Sequence, residues 1–163
     1  MNASLKILAA AVSGVLLGLP ATQAHDRSPI VVFISFGTLE NELKVFPREL
    51  TLEAGELYQL VVSNPSENNH VVVAPEFAAT ALTKKLLKSS PRIDYPAASL
   101  TTGISVQPGH MMEWTFTPLK EGTYKFGCDE PVHAAAGMHA TIKVVLIKVA
   151  LSHRSTFASA LHT

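Results

Sequence analysis

Phe126-Gly127-Cys128-Asp129-Glu130-Pro131-Val132-His133-Ala134-Ala135-Ala136-Gly137-Met138 is the stretch that decides the reading of this chain. It holds the only cysteine in the protein, with a histidine five residues later and a methionine five after that. A thiolate, an imidazole and a thioether on one short loop are the soft and borderline donors that suit copper. A cysteine and two histidines in a trigonal arrangement, with a weak axial methionine, make a copper site for electron transfer. The loop supplies three of those four donors, so a second histidine has to come from elsewhere.

Outward from the loop, the pattern is one of short strands. Thr123 to Cys128 leads in, with Tyr124 and Phe126 on one face and Thr123, Lys125 and Gly127 on the other. Met111 to Thr117 alternates Trp114 and Phe116 against Glu113 and Thr115. His139 to Val149 leads out. Towards the N-terminus, Ile30–Phe36, Val45–Phe46, Glu49–Glu53, Leu57–Ser63, Val71–Ala74 and Gly103–Val106 are rich in β-branched and aromatic residues and are separated by Gly, Pro and Asn turns. This spacing predicts an antiparallel β-sandwich. One segment has a different texture. Pro75 suits a helix start, Glu76 its first turn, and the Ala, Leu and Lys residues to Lys88 its body, which predicts a helical insert over about 76–88. Lys84, Lys85 and Lys88 then form its solvated face. The segment from Ser89 to Ser99 reads as irregular.

His70 is the best source of the second imidazole. It follows the turn-rich Asn64-Pro65-Ser66-Glu67-Asn68-Asn69 and opens an apolar run. In a sandwich the loops at one end of the two sheets meet, so a histidine there faces a loop leaving another strand. The predicted metal donors are therefore His70, Cys128, His133 and Met138. His139 follows Met138 directly, and strand alternation turns it the other way. His110-Met111-Met112 resembles a copper(I) cluster on paper but reads more simply as a turn followed by a core strand.

Compartment and composition agree with a metal on the cysteine. Residues 1–24 read as an export signal: Lys6, an apolar and small run from Ile7 to Leu19, Pro20, and the small-residue site Ala21-Thr22-Gln23-Ala24. Cleavage there leaves 139 residues with 12 basic and 13 acidic side chains, enough for one domain with a core. Residues 25–29 read as a leader and 30–149 as the domain, and 150–163 are expected to be a frayed tail. Cleavage after Ala24 would put His25 at the amino terminus, where it could offer a second, weak copper site. The protein is expected to be periplasmic or otherwise exported, with no stable membrane insertion after cleavage. Its near-neutral charge and lack of a basic stripe argue against nucleic-acid binding. A lone cysteine in an oxidising compartment has no partner within the chain, and a bound metal both occupies and shields it.

Asn69-His70, the strand-end Tyr124-Lys125-Phe126-Gly127-Cys128 and the Cys-x4-His-x4-Met spacing resemble the cupredoxins. The spacing and the Ala-Ala-Ala-Gly-Met run look most like the rusticyanin-type members. The resemblance covers roughly residues 30–149. It implies a Greek-key β-sandwich holding one type 1 copper ion, with His70, Cys128 and His133 as strong in-plane ligands and Met138 as the weak axial one. It also implies a monomer passing single electrons between redox partners such as a cytochrome, an oxidase or a reductase. In the family, an apolar collar such as Val132 with Ala134–Ala136 is where partners dock.

Two departures stand out. The residue after the first ligand histidine is often an Asn or Ser that ties the cysteine loop. Here it is Val71, so that tether is either absent or supplied by Asn68 or Asn69. Val132 stands where rusticyanin-like loops have a glycine. A single cysteine in the loop argues against a thiolate-bridged dinuclear copper centre and against a multi-cysteine zinc site. An enzyme is not expected, since nothing pairs an open coordination position with a general acid–base group. The alternative within the copper reading is a periplasmic copper-handling protein, a chaperone or resistance factor.

Overall fold

A computed structural model describes residues 28–146. The signal, most of the leader with His25, and the tail proposed from sequence lie outside them.

The chain forms two packed sheets. The first is ordered β2-β1-β4-β9-β6-β7 and the second β3-β11-β10-β5-β8. The strands are β1 (Ile30–Phe36), β2 (Val45–Phe46), β3 (Glu49–Glu53), β4 (Tyr58–Ser63), β5 (His70–Val73), β6 (Ala81–Ser89), β7 (Arg92–Asp94), β8 (Ile104–Val106), β9 (Met111–Pro118), β10 (Gly122–Cys128) and β11 (His139–Val145). Alternation does the work that the sequence pattern foretells. Tyr58, Leu60 and Val62 of β4 and Met112, Trp114 and Phe116 of β9 point inward, and the residues between them face out. The core runs from Trp114, Phe116 and Phe77 through Leu60 and Ile142 to Phe36 and Phe126 beneath the donor loop.

Three features differ from the sequence expectation, one being that Ser89–Ser99, expected to be irregular, contains strand β7, paired antiparallel with β6. The sandwich is mixed, not purely antiparallel: β1 lies parallel to β4 and β3 parallel to β11. The chain leaves the first sheet after β2, runs through β3 in the second, and returns as β4 in the same direction as β1. The helical insert over 76–88 is also corrected. Only α1 (Pro75–Thr80) is helical, and Ala81–Ser89 is strand β6, held between β9 and β7. Helix propensity is worth only tenths of a kcal/mol per residue, and ladder pairing along eight residues outweighs it. A register shift between Thr83 and Lys85 hides the alternation. As a result Lys88 is not on a solvated face. It is buried, and its ammonium donates to Gln107 Oε1 at 3.1 Å. Two further short helices are α2 (Ser99–Thr102) and α3 (Pro131–Ala135), the latter inside the donor loop.

Candidate metal centre

Three backbone features bring the predicted donors together. Cys128 ends β10, where its neighbour Gly127 pairs with Val73 and Cys128 itself with Val72, so β5 delivers His70 next to the cysteine. The Asp129 amide donates to the Val71 carbonyl at 2.8 Å, which fastens the start of the donor loop to the residue after His70. Pro131 opens α3, whose single turn turns His133 back over the cysteine, and the Met138 amide donates to the His133 carbonyl at 3.0 Å.

The result is a triangle of side-chain atoms. Nδ1 of His70 and Nδ1 of His133 are 3.2 Å apart. Cys128 Sγ is 3.9 Å from the first and 3.5 Å from the second. The point in their plane equidistant from all three lies about 2.1 Å from each, within the range of imidazole and thiolate bonds to a transition-metal ion, about 2.0–2.3 Å. The donor set therefore fits a single ion. Among the described residues this is the group of His, Cys, Asp and Glu whose donor atoms converge, all within 4.8 Å. Met138 is 1% exposed and lies in the core cluster with Cys128. Its main chain is bonded to both other donor residues of the loop.

Burial sets the electrostatics. His70 is fully buried and Cys128 is 3% exposed, whereas His133 is half-buried and is the donor nearest solvent. Burial, with a smaller push from His133, lowers the His70 pKa to about 4, so the ring is neutral with a free lone pair at neutral pH. Burial likewise raises the Cys128 thiol. The backbone N–H groups of Glu130 and Val71 pull it down, and the charges of Glu130 and Asp129 push it up further. A metal cation would remove that penalty by taking the thiolate.

The remaining sequence expectations sort cleanly. His139 lies outside the triangle, paired through β11 with Gly127. His110 bonds the Pro108 carbonyl and Met112 is core, as a turn and strand require. Of the two expectations for the side-chain tether, supply by Asn68 or Asn69 is corrected, which leaves its absence. The bonds of Asn69 Oδ1 and the Asn68 carbonyl go to Ser105 and Asn64, and the loop is tied by the Asp129 amide instead. Sequence reasoning missed Ser66, whose Oγ lies 3.0 Å from His70 Nε2, and Gly37, which backs the same ring. The Asn-Pro-Ser turn before His70 was the available signal.

Comparison with known proteins places the chain. A curated relative, the "Copper-resistant cuproprotein CopI" of Vibrio cholerae, is 23% identical over 129 residues, 78% of this chain and 72% of its own. A multicopper oxidase from Campylobacter jejuni superposes with a TM-score of 0.53 at 12% identity, over 72% of this chain and 30% of the oxidase. Auracyanin from Roseiflexus castenholzii matches at 21% identity and a TM-score of 0.49, over 73% of this chain and 99% of its own. The oxidase likeness shows a shared fold, and the oxidase extends far beyond the matched part. A profile of the copper binding proteins of the plastocyanin/azurin family matches residues 33–145, which span every strand from within β1 to the end of β11 and all four predicted donors. This chain therefore belongs to the plastocyanin/azurin family of copper-binding proteins.

Proposed function

We propose that the protein is an exported carrier of single electrons, in which His70, Cys128 and His133 would be the strong ligands of one copper ion and Met138 the weak one. The observation that carries this reading is the Nδ1–Nδ1–Sγ triangle, whose size suits one ion and whose three donors are those of a type 1 site. Bound copper would supply the Cu(II)/Cu(I) couple.

The chain's own residues supply the rest. The strands and the loop bonds hold the donors in one arrangement, so little reorganisation accompanies a change of oxidation state. Phe36 and Phe126, packed edge-to-face at 5.5 Å beneath the site, exclude water. His133 offers the route to a partner. Val132, 72% exposed, and the exposed Ala134–Ala136 surround it with apolar surface, which favours brief docking over tight binding. An enzyme reading has less support, because His70 and Cys128 are sealed from solvent and the fourth side is assigned to Met138. Export rests on the pattern of residues 1–24. No helix among the described residues is long and apolar enough to cross a membrane.

A second reading is favoured by the curated relative, which carries the name of a copper-resistance protein. In that case the same donors would bind copper to hold or hand it on. Copper dissociation separates the two. A carrier retains its ion through repeated reversible voltammetric cycles, and a handling protein releases it to a chelator or acceptor within minutes.

A further inference from the structure

We infer that Asn64 and Ser66 form a buried hydrogen-bond chain that fixes the tautomer of His70, and that both are positioning residues for the copper site. The inference rests on the reading of His70 as a ligand through Nδ1.

The direction of each proton follows from the partners. Nδ2 of Asn64 lies 2.7 Å from the Asn68 carbonyl and 2.8 Å from the Val106 carbonyl. Carbonyls only accept, so the amide nitrogen must occupy that position and Oδ1 is left to accept. Oδ1 receives the Ser66 backbone N–H at 3.1 Å and the Ser66 hydroxyl at 2.8 Å. A hydroxyl has one proton, and the other carbonyl within its reach, that of Asn68, is more distant at 3.4 Å. With its proton on Asn64, Ser66 Oγ presents a lone pair to His70 Nε2 at 3.0 Å, and an N–H completes that contact. His70 is therefore the Nε2–H tautomer, and its Nδ1 lone pair faces Cys128 and His133.

The surroundings enforce the arrangement. Asn64, Ser66 and His70 are all buried, so water cannot take over any of these bonds. Gly37 closes the back: a Cβ there would stand 2.7 Å from Ser66 Oγ and 3.0 Å from His70 Nε2. A backbone carbonyl in place of Ser66 could only accept. A serine can turn round and donate, which would drive the His70 proton onto Nδ1, the atom the metal needs. Asn64 prevents that by claiming the hydroxyl proton.

The test is long-range 1H–15N correlation of the histidine rings in the metal-free full chain, beside copper affinity by chelator competition. In the wild type His70 is expected as the Nε2–H tautomer, with a ring proton slow to exchange with solvent. In Ser66→Ala the Nδ1–H form should appear, and copper affinity should fall about 10–100-fold, the usual effect of losing a partner that orients a ligand. Nδ1–H in the wild type would overturn the inference, and that measurement needs no variant. So would a folded Ser66→Ala with unchanged tautomer and affinity. If the wild type binds copper without an intense thiolate absorption, the ligand reading itself fails, and the positioning role falls with it whatever the tautomer.

Discussion

The backbone N–H of Cys128 donates to the carbonyl of Met138 at 3.0 Å, so the two ends of the donor loop are joined to each other through the main chain. The position of residue 138 is thus set by the backbone and not by its side chain. Met138→Leu, a swap of similar volume, should cost less than about 1.5 kcal/mol and leave the thiolate band in place. Met138→Gln offers a harder oxygen donor in the same position and should lower the reduction potential, because oxygen favours Cu(II). Voltammetry of both variants checks this. A potential identical across wild type, Leu and Gln would show that the residue is core packing and no ligand.

Two glycines separate strain from space. Gly137 and Gly37 both have positive φ, +75° and +82°. A Cβ at Gly137 meets nothing within 4 Å, whereas one at Gly37 meets Ser66 and His70. Gly137→Ala should cost about 1–2 kcal/mol of backbone strain and keep the copper spectrum. Gly37→Ala should cost more and change the spectrum as well. Urea denaturation and absorption spectra of the two variants make the comparison, and equal effects would contradict it.

Acid should destabilise the metal-free protein through His70. Its pKa is about 4 in the folded state against 6.5 for the ordinary group, and the titratable groups facing it are Cys128 and His133. Between those values the unfolded chain binds a proton that the folded one refuses, so stability rises with pH across the window. The contribution is fully present above pH 6.5 and fades towards pH 4, by roughly 3 kcal/mol. Denaturation curves of wild type and His70→Asn at several pH values should show this loss in the wild type alone. The raised Cys128 thiol adds a second expectation: copper uptake at neutral pH releases its proton to solution.

The apolar rim offers a test of electron exchange without a known partner. Val132→Lys places a like charge on each of two copies that meet at His133. Electron self-exchange, measured by NMR line broadening of mixed oxidation states, should slow about tenfold at low salt. The optical spectrum should stay as in the wild type, and an unchanged rate would move the docking surface elsewhere.

The strands around the site were legible because each has one buried face. Tyr58–Ser63 and Met111–Pro118 alternate cleanly, whereas Ile30–Phe36 is apolar almost throughout and is legible from its β-branched and aromatic residues; the expected limits of all three lie within a residue of those observed. Candidate donors were easy to name because copper chemistry leaves few choices in a chain with one cysteine, and three of them, His70, Cys128 and His133, converge in the structure. Strand β6 was not. Its bulge sets Lys84 and Lys85 side by side as exposed residues, and Leu87 and Lys88 are buried where an edge-covering β7 and Gln107 receive them. Those are tertiary facts that no local pattern carries. Ser66 was missed for a similar reason: its role depends on Asn64 being held by the Val106 carbonyl, 42 residues away in sequence.

The most direct test of the account is the optical and EPR spectrum of the copper-loaded protein beside that of Cys128→Ser. The triangle of His70, His133 and Cys128 predicts one copper ion per chain, an intense thiolate-to-copper absorption band in the visible, and its complete loss in Cys128→Ser. A wild-type protein that binds copper with only weak absorption, or a band that survives the substitution, would contradict it.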